Sequence, residues 1–136
     1  MLESNESEAL KRFLAEHVEE LEELVILGVL EARGSEGVTL AELIDSAPLP
    51  KVTTRGVLDR LAARGLVACS VLEPAEYRFA PPNELREPLE RLLARYREDP
   101  LAILMLLSSN AIERVRKEAL LTFADAFRIG GPKSNG

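Results

Sequence analysis

Residues able to do chemistry are few in this chain. Its 136 residues include one histidine, His17, and one cysteine, Cys69. Single copies exclude a histidine relay, a multi-histidine metal site and an intramolecular disulfide. His17 stands among glutamates on a helical stretch, the setting of a solvated or capping side chain. Cys69 falls in the apolar run Leu66–Leu72 and is expected as a small buried hydrophobe. Carboxylates are plentiful but scattered, and no apolar pocket singles out a pair. Gly34-Ser35-Glu36-Gly37 lacks the preceding strand and following lysine of a phosphate loop. No catalytic residue, metal ligand or cofactor is expected, and the chain reads as a non-enzyme. What remains is its cations. Lys51, Arg55, Arg60, Arg64 and Arg78, with Thr53, fall in one middle stretch. Such side chains bind phosphates, and arginine also reads the edge of guanine.

Charge is unevenly placed around that stretch. The chain as a whole carries −6, which argues against a general polyanion binder. Residues 1–47 hold three basic and twelve acidic side chains. Residues 48–80 hold five basic and three acidic, and residues 81–136 nine and eight. The acidic third reads as a solvated helix face, or as a surface for a basic partner. Arginine outnumbers lysine 13 to 4, a bias of GC-rich bacterial genomes. The acidic N-terminus has no apolar signal segment, and the longest purely apolar run, Leu101–Leu107, is far too short to span a membrane. A cytoplasmic protein is expected.

The elements that must position the cations follow from periodicity. From Glu6 to Ala32, apolar residues recur every three or four positions, an amphipathic helix with a break near His17. Gly34–Gly37 is a turn. Thr39 with Glu42 forms a capping box for a short helix, Leu40 to about Ser46. A second short helix runs from Lys51 to about Arg64, with Thr54, Val57, Leu58 and Leu61 inward and Gly65 as its terminator. Leu66–Leu72 and Tyr77–Ala80 then read as a β-hairpin around the loop 73–76. Asn83 is expected to cap a helix to about Arg97, with Pro88 tolerable only near its first turn. Asp99-Pro100 starts another helix over Leu101–Leu107. Ser108-Ser109-Asn110 is expected to interrupt it, with a last helix from Ala111 to about Phe127. Met105 and the aromatics at helical spacing are expected in the core. Four segments result: an N-terminal helical segment (1–20), a central unit (21–82), a C-terminal helical extension (83–129) and a disordered tail (130–136).

The order helix, turn, short helix, turn, short helix, hairpin over residues 21–80 is that of a winged helix-turn-helix. The junction Val57-Leu58-Asp59-Arg60-Leu61-Ala62-Ala63-Arg64-Gly65-Leu66-Val67 resembles that between recognition helix and wing in bacterial regulators of the MarR and ArsR type. The stretches Phe13–Val18 and Leu21–Leu24, and the tail Thr122-Phe123-Ala124-Asp125-Ala126-Phe127-Arg128, are similar to a group of small bacterial winged-helix proteins with a FADAFR tail. Members of that group are named as DNA-binding or regulatory proteins. This chain departs from it in a longer helical segment, Asn110–Leu121, before the tail. The fold class expected is therefore mainly α with a small β-hairpin, with helices added at both ends.

In such a fold the second helix of the motif enters the major groove. Arg55 is then suited to guanine, Thr53 to a phosphate or a thymine methyl, and Lys51, Arg60 and Arg64 to phosphates, with Arg78 on the wing. The wing tip, with Glu73 and Glu76, opposes such contacts. The extension is too apolar to stand free: it packs on the N-terminal helix Glu6–Ala32 within one chain, or it pairs two copies, for which Leu104, Ile112, Val115, Ala119, Phe123 and Phe127 are the expected residues. The expectation is a dimeric DNA-binding transcriptional regulator. The alternative is a protein-interaction adaptor on the same fold, binding through the acidic N-terminal or apolar C-terminal helices.

Overall fold

The computed structural model of the chain describes residues 4–130. Six helices and three strands follow in the order α1 (Ser4–His17), α2 (Leu21–Arg33), β1 (Val38–Thr39), α3 (Leu40–Ser46), α4 (Lys51–Ala63), β2 (Val67–Cys69), β3 (Glu76–Phe79), α5 (Asn83–Glu98) and α6 (Pro100–Gly130). The strands form one antiparallel sheet in the order β1-β3-β2. From α2 to β3 this is the winged helix-turn-helix, with α3 and α4 as the helix pair and β2–β3 as the wing.

Local chemistry accounts for most boundaries. The Thr39 hydroxyl accepts from the Glu42 N–H at 3.2 Å, and the Glu42 carboxylate accepts from the Thr39 N–H at 2.9 Å. This reciprocal box starts α3. Gly65, at φ 79°, ends α4. Its N–H donates to the Ala62 carbonyl, and that of Leu66 to the Leu61 carbonyl, both at 3.0 Å. This pattern needs a left-handed residue, which glycine supplies without a Cβ penalty. The next residue, Leu66, is buried. In the wing, Val67 pairs with Phe79 and Cys69 with Tyr77. The Ser70 hydroxyl closes the loop by accepting from the Glu76 N–H at 3.0 Å.

The core is aliphatic. Leu24, Leu27 and Leu30 of α2 meet Val57, Leu58 and Leu61 of α4, while Leu43, Val38 and Leu66 close its ends. α1 and α5 join the same core through Leu10, Leu14, Leu89, Leu92 and Leu93, and α6 adds Ile103 and Leu107.

Several expectations are corrected. β1 has only two residues and no alternating run to announce it; it exists because β3 offers it a partner, with Val38 opposite Tyr77. β2 stops at Cys69, so the loop starts earlier than expected. Cys69 is exposed, not buried, because the wing leaves the core after Val67. Asn83 is the first helical residue of α5, and Pro82 occupies the cap. Pro88 lies in the second turn of that helix. The largest correction concerns α6. Ser108-Ser109-Asn110 does not break it: Asn110 is buried and its side-chain amide donates to the Lys11 carbonyl at 3.0 Å. A polar residue with its partner supplied by a neighbouring helix has no need to end its own. The expected start at Asp99-Pro100 holds, with the Asp99 carboxylate accepting from the Ala102 N–H at 3.3 Å. Met105, Phe123 and Phe127 are exposed rather than in the core. The tail expected to be disordered lies outside the described residues, apart from Gly130, the last residue of α6.

Candidate nucleic-acid interface

α4 presents the candidate residues. Its inner face, Thr54, Val57, Leu58 and Leu61, is buried as expected. The Thr54 hydroxyl donates to the Pro50 carbonyl at 3.0 Å, which secures the first turn. That burial turns the other face to solvent. Lys51, Val52, Arg55 and Asp59 are exposed, and Thr53 is half-buried. Neither Lys51 nor Arg55 forms an ion pair or a side-chain hydrogen bond among the described residues. Their charges are free to meet an anion.

Arg60 and Arg64, one turn apart, are differently placed. The Arg60 guanidinium donates to the Glu23 carboxylate at 3.2 Å and to Glu20 at 2.6 Å. The Arg64 guanidinium donates to Glu23 at 2.8 Å, to Glu19 at 3.3 Å and to the His17 carbonyl at 3.0 Å. Glu23 is the hub and is completely buried. It also accepts from the Glu19 N–H at 2.8 Å and the Glu20 N–H at 3.4 Å, so it caps the first turn of α2 as well. Burial works to raise its pKa, but the hydrogen bonds from Arg64, the Glu19 N–H and Arg60 outweigh this and hold it below the usual carboxylate value. One carboxylate thus ties the α1–α2 junction to the C-terminal half of α4. The acidic pair Glu19-Glu20 is half of this lock.

The wing divides its residues between two faces. Tyr77 lies on the side of α4. Burial raises the pKa of its hydroxyl, the Cys69 thiol and the Asp59 carboxylate add to the effect, and Arg55 opposes it. Arg78, next along the strand, points to the other side of the sheet. There it lines a depression with Ser35 and Arg86 and stands 3.7 Å from the Glu76 carboxylate. The fold therefore groups Lys51, Thr53 and Arg55, sets Arg60 and Arg64 in the carboxylate lock, and holds Arg78 apart. Val71 is fully exposed at the wing tip, beside Leu72 and Glu73. Sequence reasoning missed Glu23. The signal was present in part, as carboxylates at the start of one helix and arginines four apart on another, but no rule of spacing joins them.

Of the residues expected to pair two copies, Leu104 is half-buried, and Ile112, Val115, Ala119, Phe123 and Phe127 are exposed along α6. Phe123 and Phe127 meet edge to face, with ring centroids 4.7 Å apart. Among the described residues no group of three His, Cys, Asp or Glu is placed to hold a metal ion, and no helix is long and apolar enough to cross a membrane.

No family model matches the chain, and no curated protein is similar to it. Among solved structures, it is similar to Bordetella bronchiseptica BpsR, whose structure concerns the regulation of its DNA binding by 6-hydroxynicotinic acid. The identity is 22%, over 78% of this chain and 74% of that one, with a TM-score of 0.46. It is also similar to TrmBL2, an archaeal chromatin protein described as having a novel mode of DNA binding. There the identity is 23%, over 93% of this chain and 46% of that one, again with a TM-score of 0.46.

Proposed function

We propose that this chain is a DNA-binding transcriptional regulator that acts as a dimer in the cytoplasm. The observation that carries the reading is the solvent face of α4, where Lys51 and Arg55 stand exposed and, among the described residues, without carboxylate partners. In the major groove Arg55 pairs with guanine, Thr53 meets a phosphate or a thymine methyl, and Lys51 binds a phosphate. Arg60 and Arg64 act behind them by fixing the angle of α4 against α2. Arg78 touches the backbone only where DNA reaches the far side of the wing. The chain takes no cofactor and catalyses no reaction, and the apolar side of α6, from Leu104 to Phe127, joins the two copies.

The test is fluorescence anisotropy of a labelled duplex, titrated at several salt concentrations. Lys51, with Arg78 where the wing reaches the backbone, neutralises one or two phosphates per copy, about two to four per dimer, so log affinity falls against log salt with a slope of about −2 to −4. Absence of binding at low salt refutes the reading. One observation favours a second reading, an adaptor that binds protein: the wing tip offers Val71 and Leu72 beside Glu73, apolar and acidic where a phosphate-facing tip is basic. A duplex that never binds, together with loss of a captured partner on Val71→Asp, establishes that alternative.

A further inference from the structure

The outer face of α6 has a spacing that specifies how two copies would lie together. At about 100° per residue, Leu101, Met105, Ile112, Ala119 and Phe123 fall within about 20° of one line along the helix. Ile103 and Asn110 fall on the opposite side, and it is they that pack against the rest of the chain. The helix therefore has its own core behind it and an apolar stripe in front. From Val115 to Phe127 every residue is exposed, so no other element among the described residues covers this half. Leu101, Met105, Ile112, Val115, Phe123 and Phe127 are each more than half exposed.

The stripe repeats every eleven residues. Leu101, Ile112 and Phe123 form one series, and Leu104, Val115 and Ala126 another. Eleven residues in three turns is about 3.67 per turn, close to the unstrained helix, so two such stripes stay in contact while nearly straight. The helix is about 46 Å long at about 1.5 Å per residue. Six side chains at roughly 100 Å² each, with their flanks, approach the ~800 Å² per partner of a stable interface. The region is also the one where copies repel least, since residues 81–136 hold nine basic and eight acidic side chains against three and twelve in residues 1–47.

We propose that two copies pair through this stripe in antiparallel fashion, with the two-fold axis at Ile112. The proposal rests on the reading that α6 dimerises and adds its direction and register. Read in reverse about Ile112, the stripe is its own complement. Leu101 meets Phe123 of the second copy, Met105 meets Ala119, and Ser108 meets Arg116. Met105 faces the small Ala119, Leu101 packs on Phe123, and the single cation of the stripe faces a hydroxyl. Parallel pairing sets every residue against itself, which brings Arg116 against Arg116 and leaves Ala119 facing Ala119. Like charges pressed together on an apolar seam are disfavoured, and two opposed alanines leave a gap.

Cysteine cross-linking tests this on the full chain with Cys69→Ser, so that the exposed native thiol does not interfere. All three introduced positions are exposed, and circular dichroism verifies the fold. Under mild oxidation Ile112→Cys alone gives a covalent dimer. Leu101→Cys and Phe123→Cys each remain uncross-linked alone, and give a covalent dimer when co-expressed. Cross-linking of Leu101→Cys to itself and Phe123→Cys to itself overturns the antiparallel register while leaving the dimer intact. A light-scattering mass equal to the single 15.0 kDa chain overturns the dimer itself.

Discussion

Removing the Glu23 carboxylate tests the lock between α2 and α4. Glu23→Ala leaves four donors without their acceptor: the Arg64 and Arg60 guanidinium groups and the Glu19 and Glu20 N–H groups. A hydrogen bond to a charged group contributes about 1.5–3 kcal/mol, and breaking one partner out of a buried pair costs about 3–5 kcal/mol. The cost here lies at the low end. Both arginines are partly open to water, Arg60 keeps Glu20, and Arg64 keeps Glu19 and the His17 carbonyl. We expect a loss of about 3 kcal/mol for Glu23→Ala and about half of that for Glu23→Gln, whose oxygen still accepts from the backbone. For a chain of this size 1 kcal/mol is about 3–5 °C in Tm, so the alanine variant melts about 10 °C lower at neutral pH. The pH dependence is a second, independent reading. The folded pKa of Glu23 is below its ordinary value, so its contribution is complete above the unfolded pKa and is lost as pH falls toward the folded one. The gap between wild type and the glutamine variant therefore narrows on acidification from pH 7 to about 4. Glu42 and Glu113 also have lowered pKa values, but they are common to both proteins and cancel in the difference. Thermal melts followed by circular dichroism measure all of this. An alanine variant within a degree or two of wild type, or a gap that widens with acid, would refute the lock.

Three further outcomes are expected. Lys51→Ala with Arg55→Ala removes one phosphate contact and one guanine contact per copy, weakens duplex binding and flattens the salt slope by about 1 per copy, read in the same anisotropy titration. Thr39→Ala opens the capping box of α3 and costs about 1 kcal/mol, measured by denaturant unfolding, while Thr39→Ser costs less. Gly65→Ala places a Cβ on a left-handed residue and costs about 1 kcal/mol in the same assay.

Much of the architecture was legible because its determinants are local. The capping box of Thr39 and Glu42, the glycine that ends α4 and the inward set Thr54, Val57, Leu58 and Leu61 are statements about residues within a turn of each other. Local rules also misled. Ser108-Ser109-Asn110 reads as a helix stop only while the partner of Asn110 is unknown; that partner, the Lys11 carbonyl, is distant in sequence. Cys69 reads as buried because its neighbours are apolar, although strand exposure depends on where the sheet leaves the core. β1 had no signal at all, since two residues carry no period.

The candidate site divides in the same way. The sequence alone determined which cations share the outer face of α4, because a helix spaces side chains by a fixed angle about its axis. The eleven-residue stripe of α6 is different: it exists only because that helix runs unbroken through Ser108-Ser109-Asn110, with the Asn110 amide bonded to the Lys11 carbonyl. Only the tertiary structure decided which of those cations are free. Arg60 and Arg64 are bound by Glu19, Glu20 and Glu23, and Lys51 and Arg55 are not. Charge pairing depends on distance in space, and the packing of α2 on α4 sets that distance. The same packing decided that α6 turns its polar Asn110 inward and its apolar stripe to solvent.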